Sequence, residues 1–224
     1  MSERIQSGLK ALVRLVYPVR AVCMGCGTKA GFTRDWLCED CRQEMASRWV
    51  GVAPPPGGGL IDGAAYGYHY GGPAAGLVRN LKYRGVARLA EPMGARMVAA
   101  FAGLQPAHID CVVPVPMHIR RQRRRGCNHA LLLARAVAEG MSLPVAEAIT
   151  RTRNTRQQAR LSDEERLHNL DGAFAVTSDV AGKRVLLVDD VCTTGATANA
   201  CAAALLEGGA EAVQLLCFCQ AHKF

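Results

Sequence analysis

Long apolar runs are missing from this 224-residue sequence. None approaches the ~18 uninterrupted apolar residues that a membrane-spanning helix needs, so membrane insertion is not expected. The first residues, MSERIQSGLKALVRLV, lack a continuous apolar core followed by a small-residue cleavage site. No export signal is therefore expected, and the chain reads as cytoplasmic. Aromatic residues are scarce, at 5%, and gather mainly at 32–36 and 66–70, which leaves few rings to stack on nucleic-acid bases. Two nucleotide fingerprints are absent. There is no GxxxxGK followed by Ser or Thr, so no P-loop, and no GxGxxG after a strand, so no dinucleotide fold. Disorder is excluded by what is present. Half of the residues are hydrophobic, and a chain of this length can bury about 70% of its unfolded surface.

Ten residues are cysteine. In a reducing compartment they are metal ligands, core fillers or catalysts rather than a disulfide framework. Cys23 and Cys26 form one CxxC pair, Cys38 and Cys41 a second, with eleven residues between the pairs. Each CxxC offers two thiolates from one tight turn, and two such turns supply the four soft ligands of a tetrahedral Zn²⁺ site. Gly27 permits the reversal after the second ligand. A redox reading fits less well, since a thioredoxin-type CxxC needs a preceding strand and a following helix. The other six cysteines lack ligand spacing and read as small buried hydrophobes, except Cys192, which sits inside a motif described below.

The net charge of +8 is local. Residues 120–125 (RRQRRR) carry five arginines and residues 151–160 (RTRNTRQQAR) four, with no acid in either, and the rest of the chain has 18 bases against 19 acids. Each basic stretch is expected to face an anion, either a phosphorylated small molecule or a nucleic-acid backbone.

Apolar residues at Ile5, Leu9, Leu12, Val13 and Val16 predict a one-sided helix over 3–17. The Pro- and Gly-rich stretch 51–60 reads as a linker. Strands are expected at 62–70, 111–116, 144–151, 183–190 and 211–219, and helices at 73–83, 87–104, 128–139 and 196–207. Alternation of this kind predicts an α/β parallel sheet flanked by helices. Ligands of such sheets sit outside the carboxyl ends of the strands, here just after 116 and 188.

The segment Val185-Leu-Leu-Val-Asp189-Asp190-Val191-Cys192-Thr193-Thr194-Gly195-Ala196-Thr197 carries the most information. A strand delivers two acids to its end, a turn of small hydroxylated residues follows, and a helix begins. Successive amides in such a turn make an anion nest, and the helix start adds its dipole. Thr193, Thr194 and Thr197 can donate hydroxyls to phosphate, and Gly195 admits a close backbone approach. Acids suit neutral hydroxyls of a sugar beside that phosphate, or a metal ion held through water. The combination describes a ribose 5-phosphate site.

LLVDDVCTTGAT resembles the phosphoribosyl diphosphate (PRPP) motif of type I phosphoribosyltransferases. Three further blocks, VVPVPMHIRRQRRRGCNHALLLA at 112–134, RTRNTRQQARLSDEERLHNLDGAF at 151–174 and the paired CxxC motifs, resemble the ComF family of competence-associated proteins. The resemblance implies a type I phosphoribosyltransferase-like domain over 60–224 behind an N-terminal helix and small zinc ribbon over 1–52. It implies catalytic roles for Asp189 and Asp190 on the ribose hydroxyls, a 5-phosphate cradle from Thr193, Thr194, Gly195, Ala196 and Thr197, and ligand-binding positions at Val191 and Cys192, where the family often carries a base. Met117, His118, Arg120, Arg124 and Arg125 would meet pyrophosphate after the strand 111–116. Arg151 and Arg156 would lie in a loop that closes over the site. Zn²⁺ as a structural metal and Mg²⁺ with PRPP are implied, with transfer to an unidentified nitrogen acceptor. No residue stands out as a base for that acceptor. The family also implies a link to DNA uptake in natural transformation, with single-stranded DNA and a DNA-uptake helicase as partners. The alternative is a non-catalytic protein that senses PRPP or a nucleotide, or binds single-stranded DNA.

Overall fold

The computed structural model describes residues 22–28, 35–57, 59–105, 108–118, 122–123, 126–152 and 172–221. The expected helix over 3–17 lies outside them, as do Arg120, Arg124, Arg125 and Arg156. The chain runs α1 (Glu39–Ser47), β1 (Trp49–Ala53), β2 (Gly63–His69) and α2 (Gly72–Tyr83). A 3₁₀ turn (Ala87–Leu89) then leads into α3 (Ala90–Ala102), β3 (Cys111–Pro114), α4 (His129–Met141) and β4 (Ile149–Arg151). The last elements are β5 (Phe174–Val176), β6 (Arg184–Cys192), α5 (Ala196–Glu207) and β7 (Ala212–Gln220). Among the described residues, no helix is long and apolar enough to cross a membrane.

The main sheet has the order β1-β2-β7-β6-β3. β2, β7, β6 and β3 are parallel, and β1 pairs antiparallel on the edge. The carboxyl ends of the four parallel strands therefore share one rim. β6 is apolar on both faces because both faces are covered. Leu186 and Val188 join a core with Met93 and Met97 of α3 and Leu133 and Val137 of α4, while Val185 and Leu187 join a second core with Cys201, Ala202 and Leu205 of α5. Each Val, Leu or Met among them, fully buried, contributes about 1.5–3 kcal/mol. Leu186 and Leu187, neighbours in sequence, thus anchor helices on opposite faces of the sheet.

Two expectations change. Residues 51–53 are strand rather than linker, because Gly51, Val52 and Ala53 pair with Tyr66, Ala65 and Ala64 of β2 before the prolines begin. The strand expected at 144–151 is split. At one parallel bridge between Val112 and Val145 the Val112 N–H donates to Pro144 O and the Val112 carbonyl accepts from the Ala146 N–H, and the chain then leaves the sheet to form β4, which pairs with β5.

The four-cysteine unit is seated on this frame. Cys23, Leu37, Cys41 and Met45 lie in the same core as Leu77, Val78 and Leu81 of α2. A side chain at Gly76 would collide with the carbonyl of Gly25, so the close approach of α2 depends on glycine there. Asn80 Nδ2 donates to Met24 O at 2.7 Å, and Asp35 accepts from Arg42 at 3.2 Å and from Arg96 of α3 at 2.8 Å.

Candidate functional site

The rim of the sheet encloses a cavity of about 440 Å³. Every parallel strand contributes to it: Tyr70 follows β2, Val115 to Met117 follow β3, Asp189, Asp190 and Val191 lie at the end of β6 with Thr193 just beyond, and Ala221 follows β7. Lys82 enters from α2, Arg151 from β4, Asn128 and Ala130 from the start of α4, and Thr197 from the start of α5. A smaller hollow of about 60 Å³ lies under the turn itself, lined by Thr193, Gly195, Ala196 and Thr197 with Cys192 and Cys217 beneath.

The turn has the geometry of an anion cradle. Gly195 caps α5 with φ of +77°, a left-handed conformation that favours glycine. A Cβ there would also overlap the ring of Pro56, which the stretch before β2 lays against the turn. Asn199 Nδ2 fixes that stretch by donating to Gly57 O at 2.6 Å, and also donates to Gly195 O at 3.2 Å. Thr194 Oγ1 accepts from the Ala196 N–H at 3.4 Å, so this hydroxyl serves the helix start.

The acids differ in environment. Asp190 is buried, and its Oδ1 lies 2.8 Å from Lys82 Nζ. Asp189 Oδ1 accepts from the backbone N–H of Asp190 at 2.8 Å. Burial, and then the charge of Asp190, push the Asp189 carboxyl up to about 7, against the pull of Lys82 and Arg151. Near neutrality Asp189 can therefore hold or release a proton, a property the sequence did not reveal. The Cys192 thiol is held below its ordinary range by a hydrogen bond from Cys217, which outweighs burial.

Of the residues expected from sequence, Met117, Arg151, Asp189, Asp190, Val191, Thr193 and Thr197 meet at the larger cavity. His118 is buried and lines neither hollow. Lys82, Tyr70 and Asn128 were not anticipated. Asn128 carried a readable signal, since it precedes an apolar helix and caps it, accepting from Ala130 N–H at 3.2 Å and donating to Val115 O at 3.2 Å. Lys82 carried none, because one lysine ending an apolar helix looks like any solvated terminus.

The second site is the cysteine cluster. One Sγ from each of Cys23, Cys26, Cys38 and Cys41 lies within 4.8 Å of the others. Cys26 and Cys38 sulfurs are 3.8 Å apart, the edge of a tetrahedron with metal–sulfur bonds of about 2.3 Å. The Cys38 N–H donates to Cys23 Sγ at 3.3 Å, a bond that steadies a thiolate. The Thr28 hydroxyl, 2.9 Å away, and its backbone pull the Cys26 thiol down to about 6. The donor set fits a closed structural metal site.

Comparison with known proteins agrees with this geometry. Residues 128–223 match the phosphoribosyl transferase domain family. The DNA utilization protein YhgH of Escherichia coli is 34% identical over 209 residues, covering 90% of this chain and 85% of that protein. The competence protein F of Haemophilus influenzae is 30% identical, over 66% of this chain and 68% of its own length. The chain belongs to the ComF family. A further member, the competence protein ComFC of Bacillus subtilis, is 30% identical over 65% of this chain and 58% of that protein. In this member of the family, a phosphoribosyltransferase-like sheet carries a cluster of four cysteines that could hold a metal ion.

Proposed function

We propose that this protein binds PRPP, or a closely related phosphoribosyl ligand, in the cavity at the sheet rim. The observation that carries the reading is the shared hollow of two carboxylates at the end of β6 and the Thr193–Thr197 turn that opens α5. Amides and hydroxyls of the turn suit the 5-phosphate, and Asp189 and Asp190 suit the ribose hydroxyls. The Val115–Met117 segment, Arg151 and the arginines at 120, 124, 125 and 156 suit pyrophosphate. Mg²⁺ on the diphosphate would neutralise charge on the leaving group. In the reaction the C1–oxygen bond breaks with its electron pair on pyrophosphate. The lone pair of an acceptor nitrogen forms the C1–N bond, and the nitrogen proton departs to solvent or a carboxylate. The carboxylates also favour the positive charge that develops on the ring. Zn²⁺ is the metal proposed for Cys23, Cys26, Cys38 and Cys41, and its role is structural. The names of the relatives, a DNA utilization protein and competence proteins, support a link to DNA uptake. The place we propose for it is cytoplasmic, with single-stranded DNA or a DNA-uptake helicase as partner.

Calorimetric titration with PRPP and Mg²⁺, followed by assay of pyrophosphate release across a panel of bases and amines, tests this. Binding that is lost in Asp189→Asn/Asp190→Asn is expected. A folded protein that takes up no PRPP overturns the reading, and binding without release across the panel leaves a sensor rather than an enzyme.

A second reading, single-stranded DNA binding, rests on α2. Residues 63–90 contain no acid but include Arg79, Lys82, Arg84 and Arg88. Among them Tyr83 is 67% exposed, one turn along the helix from Arg79 and next in sequence to Arg84. Cations beside an exposed ring suit a phosphate backbone with a stacked base.

A further inference from the structure

Lys82 is far in sequence from the β6 turn, yet its ammonium is 2.8 Å from Asp190 Oδ1 and lines the same cavity. Both side chains are largely shielded, with 20% and 9% exposure. An ion pair so shielded gains little for the fold, because desolvating both charges offsets most of their attraction. α2 is already anchored by Leu77, Val78 and Leu81, so packing alone does not call for a cation at the next position. Arg151 adds a second positive charge that reaches Asp189. Two cations beside two acids, one of them held at about 7, leave the cavity receptive to an anion near neutrality.

We propose that Lys82 is a ligand-binding residue for the diphosphate end of the phosphoribosyl ligand, held in place by Asp190. The proposal rests on the PRPP reading of the site. In PRPP the C1 diphosphate and the C2 hydroxyl are on adjacent carbons and on one face of the ring. A carboxylate that grips the C2 hydroxyl holds it at about 2.7 Å. An ammonium bonded to that same carboxylate then stands beside the diphosphate. The ammonium carries three donors. Ribose 5-phosphate offers the same hydroxyls and 5-phosphate without the diphosphate, and so does not engage Lys82.

The test titrates the full-length protein, Lys82→Met, Lys82→Gln and Lys82→Arg with PRPP and with ribose 5-phosphate in Mg²⁺ buffer, with circular dichroism to verify folding. The neutral variants are expected to lose PRPP affinity by about tenfold or more and to keep ribose 5-phosphate within about twofold, with Lys82→Arg recovering part of the loss. Gln can hydrogen-bond Asp190, so it keeps the comparison available if Met unfolds the protein. An equal loss for both ligands would mean that Lys82 only positions Asp190, and would overturn the proposal. So would no loss for either. If the unaltered protein binds neither ligand, the PRPP reading itself fails and takes this proposal with it, an outcome visible before any variant is made.

Discussion

At the scale of the residue, Asp189 couples the site to stability. Its carboxyl belongs at 3.8 in the unfolded chain and at about 7 in the folded one. Between those values the folded state holds more protons, so stability falls as pH rises from 3.8 to about 7 and is level above. Asp189→Asn removes the charge and retains an oxygen for the Asp190 N–H. The variant is expected to melt higher than the unaltered protein at about pH 8 and within error of it at about pH 4. Differential scanning calorimetry at both values checks this, and a variant less stable at the higher pH contradicts the assignment. Such a gain would come with lost ligand binding, as at other sites where function keeps a strained charge. The acid pair was legible in the sequence as a pair. The difference between its members was not, because it arises from Lys82, Arg151 and burial, which the fold brings from other elements.

At the scale of the element, α2 has three tasks on three sides. Its apolar side fills the core with Leu77, Val78 and Leu81, Gly76 admits the cysteine unit, and Lys82 faces the cavity. Its outer side carries Arg79 and Tyr83, and Arg84 follows its last residue. If that side holds single-stranded DNA, Tyr83→Ala should weaken a fluorescent oligothymidine by about 1–3 kcal/mol. Arg84→Ala should lower the slope of log affinity against log salt by about 0.7. Fluorescence anisotropy over a salt series reads both, and unchanged isotherms would remove α2 from any DNA surface. Helix α2 itself was plain from its apolar spacing. Its division of labour was not, since spacing reports which side is buried and not what lies opposite. The strand at 49–53 was missed for a related reason. Gly and Pro mark where structure can end, but the pairing partner, β2, decides where it does end.

At the scale of the whole molecule, the cysteine unit and the sheet domain share one core, so metal loss should not stay local. Removing the metal with a strong chelator under reducing conditions is expected to release about one equivalent of Zn²⁺. It should also lower the melting temperature of the entire domain and speed amide exchange in α2. Exchange changes confined to residues 22–47 would instead describe an independent ribbon. What the sequence by itself determined is local and chemical. Two CxxC pairs bring four sulfurs together because tight turns set their spacing, and the Asp-Asp-Thr-Thr-Gly turn after the β6 apolar run sets two acids beside a helix start because strand, turn and helix follow one another along the chain. The tertiary structure decided what stands opposite those local units. It brought Lys82 to Asp190, Pro56 to Gly195 and Asn80 to the Met24 carbonyl, contacts between residues far apart in the chain. No periodicity or motif encodes such meetings, because they depend on how the parallel strands stack in the order β2-β7-β6-β3 and so bring their ends to one rim.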